Sequence, residues 1–82
     1  MALYYFHLRD GVDLLIDEEG RQLDCIETIP GLALAEARSM IGEEAKAGHL
    51  FLDRRIDVED EFRNIVHSLE FADAIVISAK PG

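Results

Sequence analysis

The stretch that decides the fold is Leu3-Tyr4-Tyr5-Phe6-His7-Leu8-Arg9-Asp10-Gly11. Tyr4, Phe6 and Leu8 fall on one side of an extended chain, and Tyr5, His7 and Arg9 fall on the other. A period of two with this aromatic content marks a strand. Asp10-Gly11 closes it, because this dipeptide tolerates the positive φ of a tight hairpin. The pattern predicts a strand over 3–9 and a returning extended segment over 13–17. Glu18-Glu19-Gly20 then makes a second turn, with a short extended piece over 21–24.

Downstream the period changes. Pro30 suits the first turn of a helix and turns Ile29 away from the α region. A helix is predicted from about Pro30 to Ala47, with Ala33, Leu34, Ala37, Met40, Ile41 and Ala45 on its apolar side. Gly48 is the natural residue just past its end. Gly42, inside the helix, suggests a close approach by another element. Residues 54–59 alternate again, with Ile56 and Val58 inward and Arg55, Asp57 and Glu59 outward. A turn follows at 60–63, then a strand over 64–71. Residues 72–78 are ambiguous, although the β-branched Ile75-Val76-Ile77 favours a strand; residues 80–82 read as a frayed tail. Hairpin, helix, hairpin is the order of an α+β domain: an antiparallel sheet of three to five strands with one main helix packed on one face.

Composition sets the scale. With 82 residues there is room for one small domain over 1–82 and one modest core. A chain 49% hydrophobic is too apolar to be intrinsically disordered. No apolar run approaches the roughly 20 residues of a membrane span, and the first ten residues lack a basic region followed by an apolar one. The expected location is therefore the cytoplasm. Cys25 is the single cysteine, so no internal disulfide forms. Its neighbours include Asp24 and Glu27 rather than the cation that a reactive thiolate needs. The net charge of −9, from 17 acids against 8 bases, opposes nucleic-acid binding, which relies on cations displacing counterions.

Chemistry-bearing patterns are sparse. Asp17-Glu18-Glu19-Gly20 lacks the alternating ligands of a calcium loop. Asp57 and Glu59 share one face of their strand and could meet a cation or an arginine, although a solvated face is the plainer expectation. His7, His49 and His67 have no metal-ligand spacing; His7 and His67 become neighbours only if their strands pair. There is no Gly-x-Ser-x-Gly elbow and no phosphate-binding glycine loop. No catalytic residue, cofactor or metal is assigned. Tyr5 shares its face with His7 and Arg9, a trio suited to base stacking. The surrounding acidity favours core or interface packing instead.

The remaining features point to contacts between proteins. Leu50-Phe51-Leu52 follows the helix and either plugs the core or forms an exposed patch. Ile75-Val76-Ile77 could offer a sheet edge to another chain. The reading that follows is a small interaction module, self-associating as a homodimer, with Tyr5, Leu50, Phe51, Leu52, Ile75, Val76 and Ile77 as candidate contacts. The first alternative is an acidic regulator docking on a basic protein surface. The second is a small-ligand binder or enzyme with an inter-subunit site built from His7, His67, Asp57 and Glu59.

Three stretches together resemble a family of short uncharacterised bacterial proteins. They are Tyr5 through Gly11 followed by Asp17-Glu18-Glu19-Gly20, the alanine-rich helix over 33–47, and Arg54-Arg55-Ile56-Asp57-Val58 with Asp60-Glu61, leading to Phe71 and Ala74. The sequence departs from that pattern where 26–31 interrupts the approach to the helix. It departs again at Phe62, which stands where a glycine is usual. The resemblance implies a free-standing domain and no defined activity.

Overall fold

Backbone pairing begins with β1 (Ala2–Asp10). The computed structural model describes residues 1–78. Gly11, at φ 60°, turns the chain into β2 (Asp13–Leu15), which pairs Leu15 with Leu8 and Asp13 with Asp10. The extended segment predicted over 13–17 is shorter than expected. At Asp17 the side chain replaces the backbone: its Oδ2 accepts the Phe6 N–H at 3.1 Å. The chain turns through Gly20, at φ 72°, and returns as β3 (Arg21–Leu23) beside Ala2, Leu3 and Tyr4.

α1 (Ile29–Lys46) is entered through a 3-10 turn at Ile26–Thr28. The interruption at 26–31 is therefore a helical lead-in, and Pro30 lies in the first turn, where a missing N–H costs nothing. Ile29, Ala33, Ala37 and Ile41 form the buried stripe. Leu34 and Met40 are half-buried beside it, whereas Ala45 is exposed. Alanines at the centre of the stripe let helix and sheet approach closely. Gly42 does not mark a close approach: a Cβ there would meet nothing within 4 Å. Gly48 ends the helix as expected, at φ 87°, with its N–H on the Ala45 carbonyl.

β4 (Arg54–Glu59) pairs antiparallel with β1 from Tyr5↔Glu59 to Asp10↔Arg54. β5 (Ile65–Glu70) pairs with β4. The sheet order is β2-β1-β4-β5, with β3 also on β1. In the connecting turn the left-handed residue is Arg63, at φ 66°, rather than Phe62. Asp60 Oδ1 holds this turn by accepting the N–H groups of Phe62 and Asn64.

The core lies between α1 and one sheet face: Tyr4, Phe6, Ile56 and Val58 meet the helical stripe. Phe71 completes it from a 3-10 turn, Phe71–Asp73, rather than as the end of the last strand. Beyond Ala74, Ile75-Val76-Ile77 is not a strand. Arg38 Nε donates to the Ala74 carbonyl at 2.8 Å and holds this segment by the helix. Ile75 is half-buried, and Val76 and Ile77 are exposed. The expected tail at 80–82 lies outside the described residues. Among the described residues, no helix is long and apolar enough to cross a membrane.

Arg54 is buried, with 4% of its surface exposed. Its guanidinium stands 4.5 Å over the Phe71 ring and bonds to Glu44, tying the end of α1 to the start of β4. This buried cation was not foreseen, since the alternation of β4 was traced from its apolar members.

The two left-handed turn glycines should respond differently to alanine. At Gly20 a Cβ would lie 3.0 Å from Tyr5 Cε1 and 3.1 Å from the Tyr4 carbonyl oxygen; at Gly11 it would meet nothing within 4 Å. Gly11→Ala should lose about 1 kcal/mol for the left-handed backbone alone. Gly20→Ala should lose at least about 1 kcal/mol more, from overpacking. Urea denaturation of both variants measures the difference.

Candidate functional site

The sheet face away from α1 carries the polar residues, and strand register arranges them in rows. His7, Asp57 and Ser68 face one another across β1, β4 and β5; so do Arg9, Arg55 and Glu70. Tyr5, Glu59 and Ile65 form the third row, where a bulge in the β4–β5 ladder brings Ile65 opposite Glu59.

Asp57 is the centre, with only 6% of its surface exposed. Its Oδ1 accepts the Ser68 hydroxyl at 2.8 Å, and its Oδ2 accepts Arg9 Nε at 3.1 Å and Arg55 Nη2 at 3.3 Å. Arg55 Nε lies 2.9 Å from Oδ1, but without a hydrogen bond along that line. Burial pushes the Asp57 carboxyl up; the Ser68 hydroxyl and the two arginines outweigh it and hold the group below its usual range. A carboxylate so occupied is not a base, and the Ser68 hydroxyl that it holds is not an activated nucleophile.

His7 is positioned from the opposite side. Its Nδ1 accepts the Asp17 N–H at 3.0 Å, so the neutral ring carries its proton on Nε2. Nε2 is 3.7 Å from Glu59 Oε1, beyond hydrogen-bond distance. Tyr5 stacks parallel to the His7 ring at 6.2 Å between centroids. For Asp17, burial raises the carboxyl, but the N–H groups of Phe6, Gly20 and Glu19, with the Arg21 charge, lower it by more.

Tyr5, His7, Arg9, Asp17, Asp57 and Glu59 border a cleft of about 640 Å³. Ile16, Asp17 and Glu18 form one wall, and the turn carrying Asp60, Glu61 and Arg63 forms the other. Among the described residues, no group of three or more His, Cys, Asp or Glu side chains is placed to hold a metal ion.

Of the polar quartet read from the sequence, His7, Asp57 and Glu59 do meet. His67 does not join them: β4 separates its strand from β1, and it pairs opposite Val58, in the row of core residues that includes Phe6. The solvated face expected for Asp57 is not found: the carboxylate is buried because Arg9, Arg55 and Ser68 cover and bond it, which was the lesser alternative. Tyr5 lines the cleft, half-buried. Leu50 and Phe51 are exposed before the far end of β4, whereas Leu52 packs on the core. The apolar candidates therefore do not form one patch with Tyr5. Arg9, Arg55, Ser68 and Asp17 were missed as site residues. Arg9 was already on the right face, but Ser68 could be found only from the β4–β5 register.

Asp57 and Asp17 both have depressed folded-state values, so they bind fewer protons folded than unfolded. Their contribution is complete above the unfolded carboxyl value of about 3.9 and fades as pH falls through the folded values. Denaturation at neutral pH should show Asp57→Asn less stable by about 1 kcal/mol, because Arg9 and Arg55 lose their shared anion but are exposed enough for water to replace it. Repeated at about pH 3, the gap between wild type and variant should narrow.

No curated protein and no solved structure matches the chain. Residues 3–72 match the family described as a Domain of unknown function (DUF6894), and with a match over this length the chain belongs to that family.

Proposed function

We propose that the chain is a small protein-interaction module that pairs with a second copy of itself through the outer edge of β5. One observation carries this reading: among the described residues, β5 is hydrogen-bonded to β4 alone, which leaves a six-residue edge unpaired. Natural sheets protect such edges with proline, lysine or a covering segment. Ile65-Val66-His67-Ser68-Leu69-Glu70 has neither proline nor lysine. Ile65, at its start, exposes 53% of its surface.

Antiparallel pairing of β5 with its copy would be isologous, the commonest symmetry of small oligomers. It would continue the five-stranded sheet across a two-fold axis. Leu50, Phe51, Val76 and Ile77 are further exposed apolar side chains that association could cover. This reading moves the pairing edge from Ile75-Val76-Ile77, which is not extended in the sheet, to β5. It places the module in a bacterial cytoplasm, without membrane, nucleic acid or cofactor.

Sedimentation equilibrium from low to high micromolar concentration should show a monomer–dimer transition. Ile65→Lys, a change at an exposed position costing no more than about 0.5 kcal/mol of fold stability, should weaken the dimer at least about tenfold by charging the edge. Amides of β5 that do not bond to β4 should exchange more slowly as concentration rises. A wild-type monomer throughout, or unprotected outer amides in the dimer, would exclude this edge.

A further inference from the structure

The cleft on the open sheet face has unmet chemistry that edge pairing does not use. Six carboxylates line it against two guanidinium groups, Arg9 and Arg63. Four of the six are already engaged. Asp57 holds Ser68 and two arginines, Asp17 and Asp60 accept backbone N–H groups, and Glu61 accepts the Leu3 N–H at 2.8 Å. Arg9 is taken by Asp57. Glu18 and Glu59 remain without a hydrogen-bond donor among the described residues.

His7 adds a directed donor to the same cleft. Its side chain is 10% exposed, and its Nδ1 is occupied by Asp17. Nε2–H has no hydrogen-bond acceptor among the described residues, the Glu59 carboxylate being 3.7 Å away. Arg55 Nε, not His7 Nε2, is the buried nitrogen without a partner among the described residues, so the His7 Nε2–H opens to the cleft, where a ligand acceptor can replace water. The ring borders the cleft together with Tyr5, Leu14, Ile16 and Ile65, which supply apolar walls.

A matching ligand carries a cation, an aliphatic or flat stem, and a nearby carbonyl oxygen. Phosphates and other anions are repelled by the excess of carboxylates. A bare metal ion is disfavoured because the His7 nitrogen facing the cleft holds a proton. A simple polyamine brings the cation but no acceptor for Nε2–H. An arginine or lysine on a peptide brings all three, and its stem can lie on Tyr5 and the apolar walls.

We propose that this cleft binds a basic side chain presented by an extended segment of a partner protein. Glu59 and Glu18 take the cation, and His7 Nε2–H donates to a peptide carbonyl. The site is complete within one chain and does not depend on pairing at β5.

The probe is a short labelled peptide of alternating arginine and alanine, blocked at both ends and titrated against the full chain by fluorescence anisotropy. Glu59→Gln should weaken binding about five- to tenfold, the scale of one lost charge-assisted contact. Glu43→Gln removes the same charge from an exposed position on α1 and should leave binding unchanged. Nitrogen NMR of His7 should show Nε2 shifting on peptide addition while Nδ1 stays an acceptor. Circular dichroism of both variants confirms that they are folded. Equal weakening by Glu43→Gln would reduce the effect to net charge and overturn the proposal. So would spermidine binding as tightly as the peptide, or an unmoved His7 resonance.

Discussion

Every residue of β1 must satisfy its backbone while one of its faces is buried, and the other strands are arranged around that requirement. β4 serves one edge of β1. On the other, β2 and β3 are each only three residues long and pair with opposite ends of β1. Asp17 bridges the gap between them: its carboxylate takes the Phe6 N–H, and its own N–H goes to His7. Without that substitution a backbone donor near the core would lack a partner, a cost of about 1–3 kcal/mol. The same contacts fix the 16–20 loop against the sheet and choose the His7 tautomer. One side chain thus links strand pairing to the form of the cleft.

Two ionic clusters stabilise opposite sides of the sheet. Arg54 lies on the core side, between Glu44 and the Phe71 ring, and joins the end of α1 to β4. Asp57 lies on the open side and joins three strands through Arg9, Arg55 and Ser68. Buried ion pairs add little net stability over apolar residues of the same shape, but breaking one leaves an uncompensated charge. Both clusters therefore favour one register over slipped alternatives. The apolar face of Tyr4, Phe6, Ile56 and Val58 acts in the same sense, since a one-residue slip would turn it to solvent.

The functional surface divides in the same way. Arginines neutralise Asp57 and backbone donors occupy Asp17, so both carboxylates at the centre of the open face are engaged, while Arg55 Nε is left without a hydrogen bond. What it leaves available lies at the cleft, where Glu59, Glu18 and the Nε2–H of His7 meet apolar walls. The free β5 edge is a separate resource, made of backbone groups instead of side chains.

Much of the architecture was legible locally. The alternation of residues 3–9, the Asp10-Gly11 turn, the helix with Gly48 at its end, and the Ile56–Val58 alternation each depend on contacts a few residues apart, and the family resemblance is carried by the same stretches. Long-range partners were not legible. Ser68 reaches Asp57 only because a bulge sets the β4–β5 register, Arg54 is buried only because Phe71 folds over it, and Asp17 reads as part of an acidic turn until β1 is beside it. The β-branched run at 75–77 favoured a strand, but the 3-10 turn at Phe71–Asp73 carries the chain away from the sheet. The sequence by itself determined which segments are strands and helix, because backbone geometry and side-chain period act locally. Tertiary structure alone decided which polar groups share a face and which strands stand at the edges of the sheet, because both depend on pairings between residues far apart in the chain.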